Sequence, residues 1–330
     1  MKRLLMFIFV FVISFLLFGC KNRYKTYEMS DYVLSLDYKD DFKILQLTDI
    51  HLANKDNLQK QLDFLDLTIS DSNCDMIVMT GDLFTFADKA LAKKFFKFID
   101  SYGVPWTCVF GNHDEQCYFS IEWLTSYLNN FGSNCYFKDI QDDDVFGNCN
   151  FVINLMDGNN IKEQLIFLDS NRYVYGEYTG YDYIKENQIK WYENMINYTK
   201  ELNGGVVVPS VAFFHIPLPE FDDAWDASQN GNPNAILEEG WKNENCCPPK
   251  KNTHLFDKML ELGSTKAILV GHDHLNNFRI LYKGIYLCYG VDSTDRIYYR
   301  DDLLGGHVLT IKNNNSLEFR QIFHTYAEVE

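Results

Sequence analysis

Positive charge is scarce in this chain and nowhere gathered. Its 330 residues carry 30 Lys and Arg against 46 Asp and Glu, a net charge of −16. Nucleic-acid binders usually present basic patches that release counterions from phosphate, and no Lys/Arg run of that kind exists here. A nucleic-acid partner is therefore not expected. Internal repeats and low-complexity linkers are also missing, which argues against an array of modules and for one domain larger than the ordinary ~100–200 residues. The apolar run at 4–18 is too short for a mature membrane helix, which needs about 20 apolar residues.

Against these absences stand five short motifs: Asp49-Ile50-His51, Gly81-Asp82, Gly111-Asn112-His113-Asp114, His215 in Phe214-His215-Ile216-Pro217, and Gly271-His272-Asp273-His274. Five of the eight histidines fall in them. Each motif follows an apolar run that reads as a buried strand, at 43–48, 76–80, 106–110, 206–214 and 267–270. Strand ends that point one way over a parallel sheet gather their loops into one crevice, where residues distant in sequence meet. None of the five offers a thiolate, which excludes a structural cysteine-type zinc site. Carboxylate, imidazole and amide oxygen suit Zn, Mn or Fe without choosing among them. Two such ions about 3.5–4 Å apart clamp a phosphate and stabilise the attacking and leaving oxygens of an in-line displacement. The pair needs one bridging carboxylate. Asp82 is the natural bridge, because it leaves its strand alone whereas Asp49 arrives with His51.

The series D-x-H, G-D, G-N-H-D, an isolated H and G-H-x-H resembles the calcineurin-like metallophosphoesterase superfamily, over roughly residues 42–277. His215-Ile216-Pro217-Leu218-Pro219-Glu220, Cys246-Cys247-Pro248 and Gly180-Tyr181-Asp182-Tyr183-Ile184 look like its purple-acid-phosphatase-like plant and fungal branch. The resemblance implies an α/β fold, a four-layer αββα sandwich of two mixed sheets. It implies a first divalent ion held by Asp49, His51, Asp82 and His274, and a second held by Asp82, Asn112, His215 and His272. It gives His113 the task of protonating the leaving oxygen or stabilising the transition state, with Asp114 orienting it. A histidine near its ordinary pKa suits proton transfer at neutral pH. Substrate would lie against Asn112 and His113, and Arg172 could extend its fork of donors to a phosphate oxygen. Purple enzymes place a tyrosine ligand where this chain has Thr85, so a colourless protein with divalent metals is expected.

Lys2 and Arg3 before the apolar run read as a signal peptide. Leu17-Phe18-Gly19-Cys20 resembles a bacterial lipobox, with Cys20 as the lipidated residue. The expectation is an exported lipoprotein anchored in the membrane, or alternatively a secreted form: signal at 1–20, polar tether at 21–41, catalytic domain at 42–330. Eight further cysteines in an exported chain permit disulfides, with Cys74 and Cys108 read as packed thiols.

Helices are expected at 58–70, 89–101, 121–129 and 187–200, and further strands at 151–156, 165–168, 285–289, 307–311 and 317–323. The acidic stretch 220–245, with Trp225 and Trp241, is expected as a long loop that selects substrate, since loops of this length are often functional. His254, His307 and His324 read as structural. The reaction expected is attack of metal-activated hydroxide on a small phosphate ester, a phosphomonoester before a diester. The alternative is a lipid-anchored binding protein that uses the fold without turnover.

Overall fold

A computed structural model describes residues 27–54 and 57–329. The expected signal peptide and Cys20 lie outside the described residues. Among those described, no helix is long and apolar enough to cross a membrane.

Two mixed sheets face each other. The smaller, five-stranded sheet has β2 (Phe42–Leu47) between β14 (Leu304–Ile311) and β3 (Met76–Thr80), with β15 (Leu317–His324) and β4 (Trp106–Val109) at its edges. Here β2, β3 and β4 run parallel. The larger sheet, of eight strands, runs β1 (Val33–Asp37), β5 (Phe151–Asp157), β6 (Asn160–Phe167), β9 (Ser210–Phe213), β11 (Thr265–Val270), β13 (Ile285–Tyr289), β12 (Arg279–Tyr282) and β10 (Ala235–Glu239). Its central strands β6, β9, β11 and β13 are parallel.

Side chains alternate across a strand, and the alternation explains the layers. Leu165, Val211, Phe213, Ala267 and Leu269 join the cluster between the sheets, whereas Ile166, Ala212, Phe214, Ile268 and Val270 join a second cluster beyond the larger sheet. Strands buried on both faces read as continuous apolar runs. Each fully buried Leu, Ile or Phe contributes roughly 1.5–3 kcal/mol before entropy. Helices α1 (Leu58–Ser72), α2 (Lys89–Asp100) and α3 (Ile121–Asn129) cover the smaller sheet, and α4 (Glu186–Leu202), α5 (Glu220–Gln229) and α6 (Leu255–Leu262) cover the larger. In α2 the buried Leu91, Ala92, Phe95, Phe96 and Ile99 form one helical stripe, and the Asp88 carboxylate caps the amides of Ala90 and Leu91 at 2.9 Å. The four-layer α/β sandwich is thus the observed architecture.

Three expectations need correction. Residues 33–37, placed in the tether, form β1 and pair parallel with β5, and Tyr32 just before them is buried. The strand expected at 206–214 shrinks to β9, because Gly204 and Gly205 turn the chain after α4 and leave Val206 exposed. The stretch 220–245 is not an irregular loop: it forms α5 and the edge strand β10. Its Phe221 and Ala224 are buried, and Trp225 packs on Phe278.

Candidate metal centre

The five motifs converge at the C-terminal ends of parallel strands. Asp49 and His51 follow β2, Asp82 follows β3, Asn112 and His113 follow β4, His215 follows β9, and His272 and His274 follow β11. Space is tight where these loops meet. A Cβ on Gly111 would lie 2.2 Å from Asp82 Oδ1, and one on Gly271 only 1.9 Å from Thr48 Oγ1, so neither position admits a side chain. Asp49, His51, Asp82 and His272 all hold positive φ, at 54°, 48°, 51° and 82°. Non-glycine residues there cost of order 1–3 kcal/mol each and cluster where function over-determines the backbone.

Two buried trios result. Asp49, His51 and His274 bring their ligand atoms within 4.8 Å of one another, as do Asp82, His215 and His272. One atom joins them: Asp82 Oδ2 lies 3.6 Å from His51 Nε2 and 3.2 Å from His215 Nε2. The other oxygen of Asp82 accepts the His113 amide at 2.7 Å.

The tautomers explain why a cation fits. His215 Nδ1 donates to the Thr80 carbonyl at 2.9 Å and His274 Nδ1 to the Tyr298 carbonyl at 2.8 Å. In the neutral ring each Nε2 then presents a lone pair. That of His215 points at Asn112 Oδ1, 3.2 Å away, and at Asp82; that of His274 lies 3.1 Å from His51 Nε2. Lone pairs and carboxylate oxygens converging in a buried site favour a positive charge between them, a proton or a metal ion. The pKa values carry the same demand. Burial disfavours the imidazolium of His215, yet Asp82 and then Asp49 outweigh it and drive the pKa up to about 9. At His274 burial is likewise overcome, by Asp292 and Asp49, up to about 10. His51 and His272 are held well below the usual range, chiefly by burial. His272 Nε2 is buried with no protein partner. Two divalent cations match this set of carboxylate, imidazole and amide donors.

Supporting groups fix these rings, as second partners of metal-binding histidines do. The Thr85 hydroxyl meets His51 Nδ1 at 2.8 Å. Asp292, absent from the sequence expectations, approaches His274 Nδ1 at 3.2 Å, and burial pushes its carboxyl up to about 7. Tyr298 stacks on His274 with centroids 4.3 Å apart. Cys247 and Tyr289 both donate to Asp273, at 3.1 and 2.6 Å, tying the Cys246-Cys247 segment to the His272–His274 loop. All eight cysteines among the described residues are free thiols.

His113 is half-buried and 5.0 Å from the ring of His51. Its orienting partner is Gln116, whose Oε1 accepts from Nδ1 at 2.9 Å and leaves Nε2 for the cleft. Asp114 does not take that part. Its carboxylate accepts the amides of Gly111 at 2.8 Å and Phe84 at 3.0 Å, knitting two loops together, and burial followed by Asp82 pushes it up to about 7. The 3-10 turn Asp114–Gln116 brings Gln116, three residues on, beside the imidazole instead. Arg172 also differs from expectation: its guanidinium pairs with Glu115. Residues 241–247 brace the loop after His274, through Glu244 Oε1 accepting the Leu275 amide at 2.7 Å.

The sequence profile of the calcineurin-like phosphoesterase family matches residues 42–276. The Arabidopsis thaliana protein named Probable inactive purple acid phosphatase 29 is 31% identical over 292 residues, 78% of this chain and 73% of that one. Phosphatase DCR2 of Saccharomyces cerevisiae is 28% identical over 285 residues, 76% of this chain and 47% of that one. A crystallised dimetal phosphatase from Danio rerio superposes with a TM-score of 0.55 at 13% identity, covering 83% of this chain and 94% of that one, a likeness of fold. With that fold, five motifs at the strand ends and a matching profile over most of its length, this chain belongs to the calcineurin-like phosphoesterase family.

Proposed function

We propose that this chain is a two-metal phosphoesterase acting on a small phosphorylated molecule, a phosphomonoester in preference to a diester. The observation that carries the reading is the carboxylate of Asp82, a member of one buried trio that also approaches His51 of the other, beside a half-exposed histidine. Asp49, His51, Asp82 and His274 would hold one divalent ion, and Asp82, Asn112, His215 and His272 the other. Two such ions supply Lewis acidity at the phosphoryl oxygens and lower the pKa of a water that attacks phosphorus. The chain itself contributes placement. Short links between the loops, such as Asp114 accepting the Gly111 and Phe84 amides, hold the ligand atoms in place. His113, held at Nδ1 by Gln116, would in its doubly protonated form deliver the Nε2 proton to the leaving oxygen and keep the one on Nδ1. The preference for monoesters rests on relatives named as phosphatases.

That some relatives are named as inactive favours a second reading, a protein that binds metal and a phosphate ester without turnover. Against it, no ligand position is replaced here. The deciding test is the full chain assayed with Mn, Zn or Fe on p-nitrophenyl phosphate and bis-p-nitrophenyl phosphate, beside Asp82→Asn and His113→Ala. Turnover lost in both variants supports the enzyme, two bound metals without turnover support the second reading, and no bound metal sinks both. For location, the proposal is export and lipid attachment at Cys20, which Cys20→Ala and labelled-fatty-acid incorporation test.

A further inference from the structure

The two trios are held in different ways. In the first, both histidines have Nδ1 tied by hydrogen bonds, His51 to Thr85 and His274 to Tyr298. In the second, only His215 is tied in this manner, to Thr80. Asn112 and His272 instead meet a small element outside both large sheets. It is the two-stranded hairpin of β7 (Tyr173–Val174) and β8 (Gly180–Tyr181).

Each strand supplies one tyrosine. Their rings stack at 5.5 Å. The Tyr173 hydroxyl accepts a hydrogen bond from Asn112 Nδ2 at 3.0 Å, which leaves Asn112 Oδ1 on the side of His215 Nε2, 3.2 Å away. A primary amide offers a cation only its oxygen, and the bond to Tyr173 holds the Asn112 amide with that oxygen turned toward His215. Tyr181 meets the ring of His272 edge-on, with centroids at 4.3 Å and planes at 89°. The same ring also packs against His215, with centroids at 5.1 Å. The hairpin is pinned to the same loops by Arg172, which pairs with Glu115, and is closed by the Asp182 amide donating to the Arg172 carbonyl at 3.0 Å.

We infer that the β7–β8 hairpin is a positioning element for the second metal ion alone: Tyr173 sets the Asn112 amide through its hydroxyl, and Tyr181 sets the His272 ring through its own ring. The inference rests on the two-metal reading. It assigns different jobs to the two tyrosines, and so a pattern of substitutions tests it. Loss of a supporting partner typically costs 10–100-fold in metal affinity.

The experiment is Mn2+ titration of the full chain by calorimetry, with electron paramagnetic resonance to detect a spin-coupled pair, and thermal melting of the metal-free protein to check folding. Tyr173→Phe should raise the dissociation constant of the second ion by about 10–100-fold and suppress the coupled signal, with the first ion and the melting temperature unmoved. Tyr181→Phe should behave as the parent, and Tyr181→Ala should weaken the second ion. The inference is overturned if Tyr173→Phe and Tyr181→Ala bind both ions as the parent does, or if they weaken both ions equally. A parent chain that binds no Mn2+ overturns the two-metal reading itself, a result the variants cannot imitate.

Discussion

Replacing Gly111 by alanine adds one methyl group at the most crowded point of the centre. Gly111 lies outside the left-handed region, so its backbone accepts alanine. The space does not. The new Cβ would stand 2.2 Å from Asp82 Oδ1 and 2.4 Å from the Asp82 amide nitrogen, well inside any permitted contact. Relief requires Asp82 or the loop after β4 to shift by about 1 Å, and a misplacement of that size costs on the order of 10²-fold in rate. Because Asp82 faces both trios, the shift should disturb both ions together. The expected outcome for Gly111→Ala is a fall in kcat of about 100-fold with weaker binding of both metals, measured by steady-state kinetics and metal analysis of the same preparation. A variant that keeps full kcat and two tightly bound ions would refute the reasoning.

Removal of the imidazole in His113→Ala should lower kcat by about 10²–10⁴-fold while leaving metal content intact, since His113 faces the cleft and joins neither trio. Gln116→Leu should produce a smaller fall and an altered pH–rate profile, because Nδ1 loses its acceptor. Glu163 is fully buried without a partner for either oxygen, and burial pushes its carboxyl from the ordinary 4.5 up to about 8. The unfolded chain then releases that proton near pH 4.5 and the folded chain only near 8, so stability falls as pH rises through this window. Glu163→Gln should therefore stabilise by about 5 kcal/mol at pH 9 and about 1 kcal/mol at pH 5 in urea unfolding; an effect independent of pH would contradict the burial argument. With Thr85 bonded to His51, the iron-loaded protein should lack a tyrosinate charge-transfer band in its visible spectrum.

The ligand-bearing loops were legible because one pattern recurs five times in order, an apolar run that reads as a buried strand followed by a residue able to ligate a metal; a single Asp after a strand is an ordinary turn residue. Asp49, Asp82 and His272 illustrate it. The helices α1 to α4 were legible from their stripes, and β1 was not, since Val33–Asp37 is only five residues long, none of them fully buried, and follows a charged segment that reads as tether. Composition misled at 220–245, where Glu220, Asp222 and Asp223 read as a solvated loop but occupy the first turn of α5, a favourable place for negative charge. The hairpin strands, two residues each, are too short to carry any periodicity. Asp292 arrives from a strand end with no neighbouring histidine to flag it. The resemblance gives Asp114 the orienting role, whereas the turn geometry hands the contact with His113 to Gln116.

The donors come from both sheets, Asp49, His51, Asp82 and Asn112 from the five-stranded one and His215, His272 and His274 from the eight-stranded one. A pair of cations would therefore act as a rivet through the sandwich. Binding at a hundred times the dissociation constant adds about 2.7 kcal/mol of stability per ion, and here that stability would be applied across the seam between the layers. A chelator would then do more than silence a reaction: it would unfasten one end of the molecule, and resistance to unfolding would report how full the centre is.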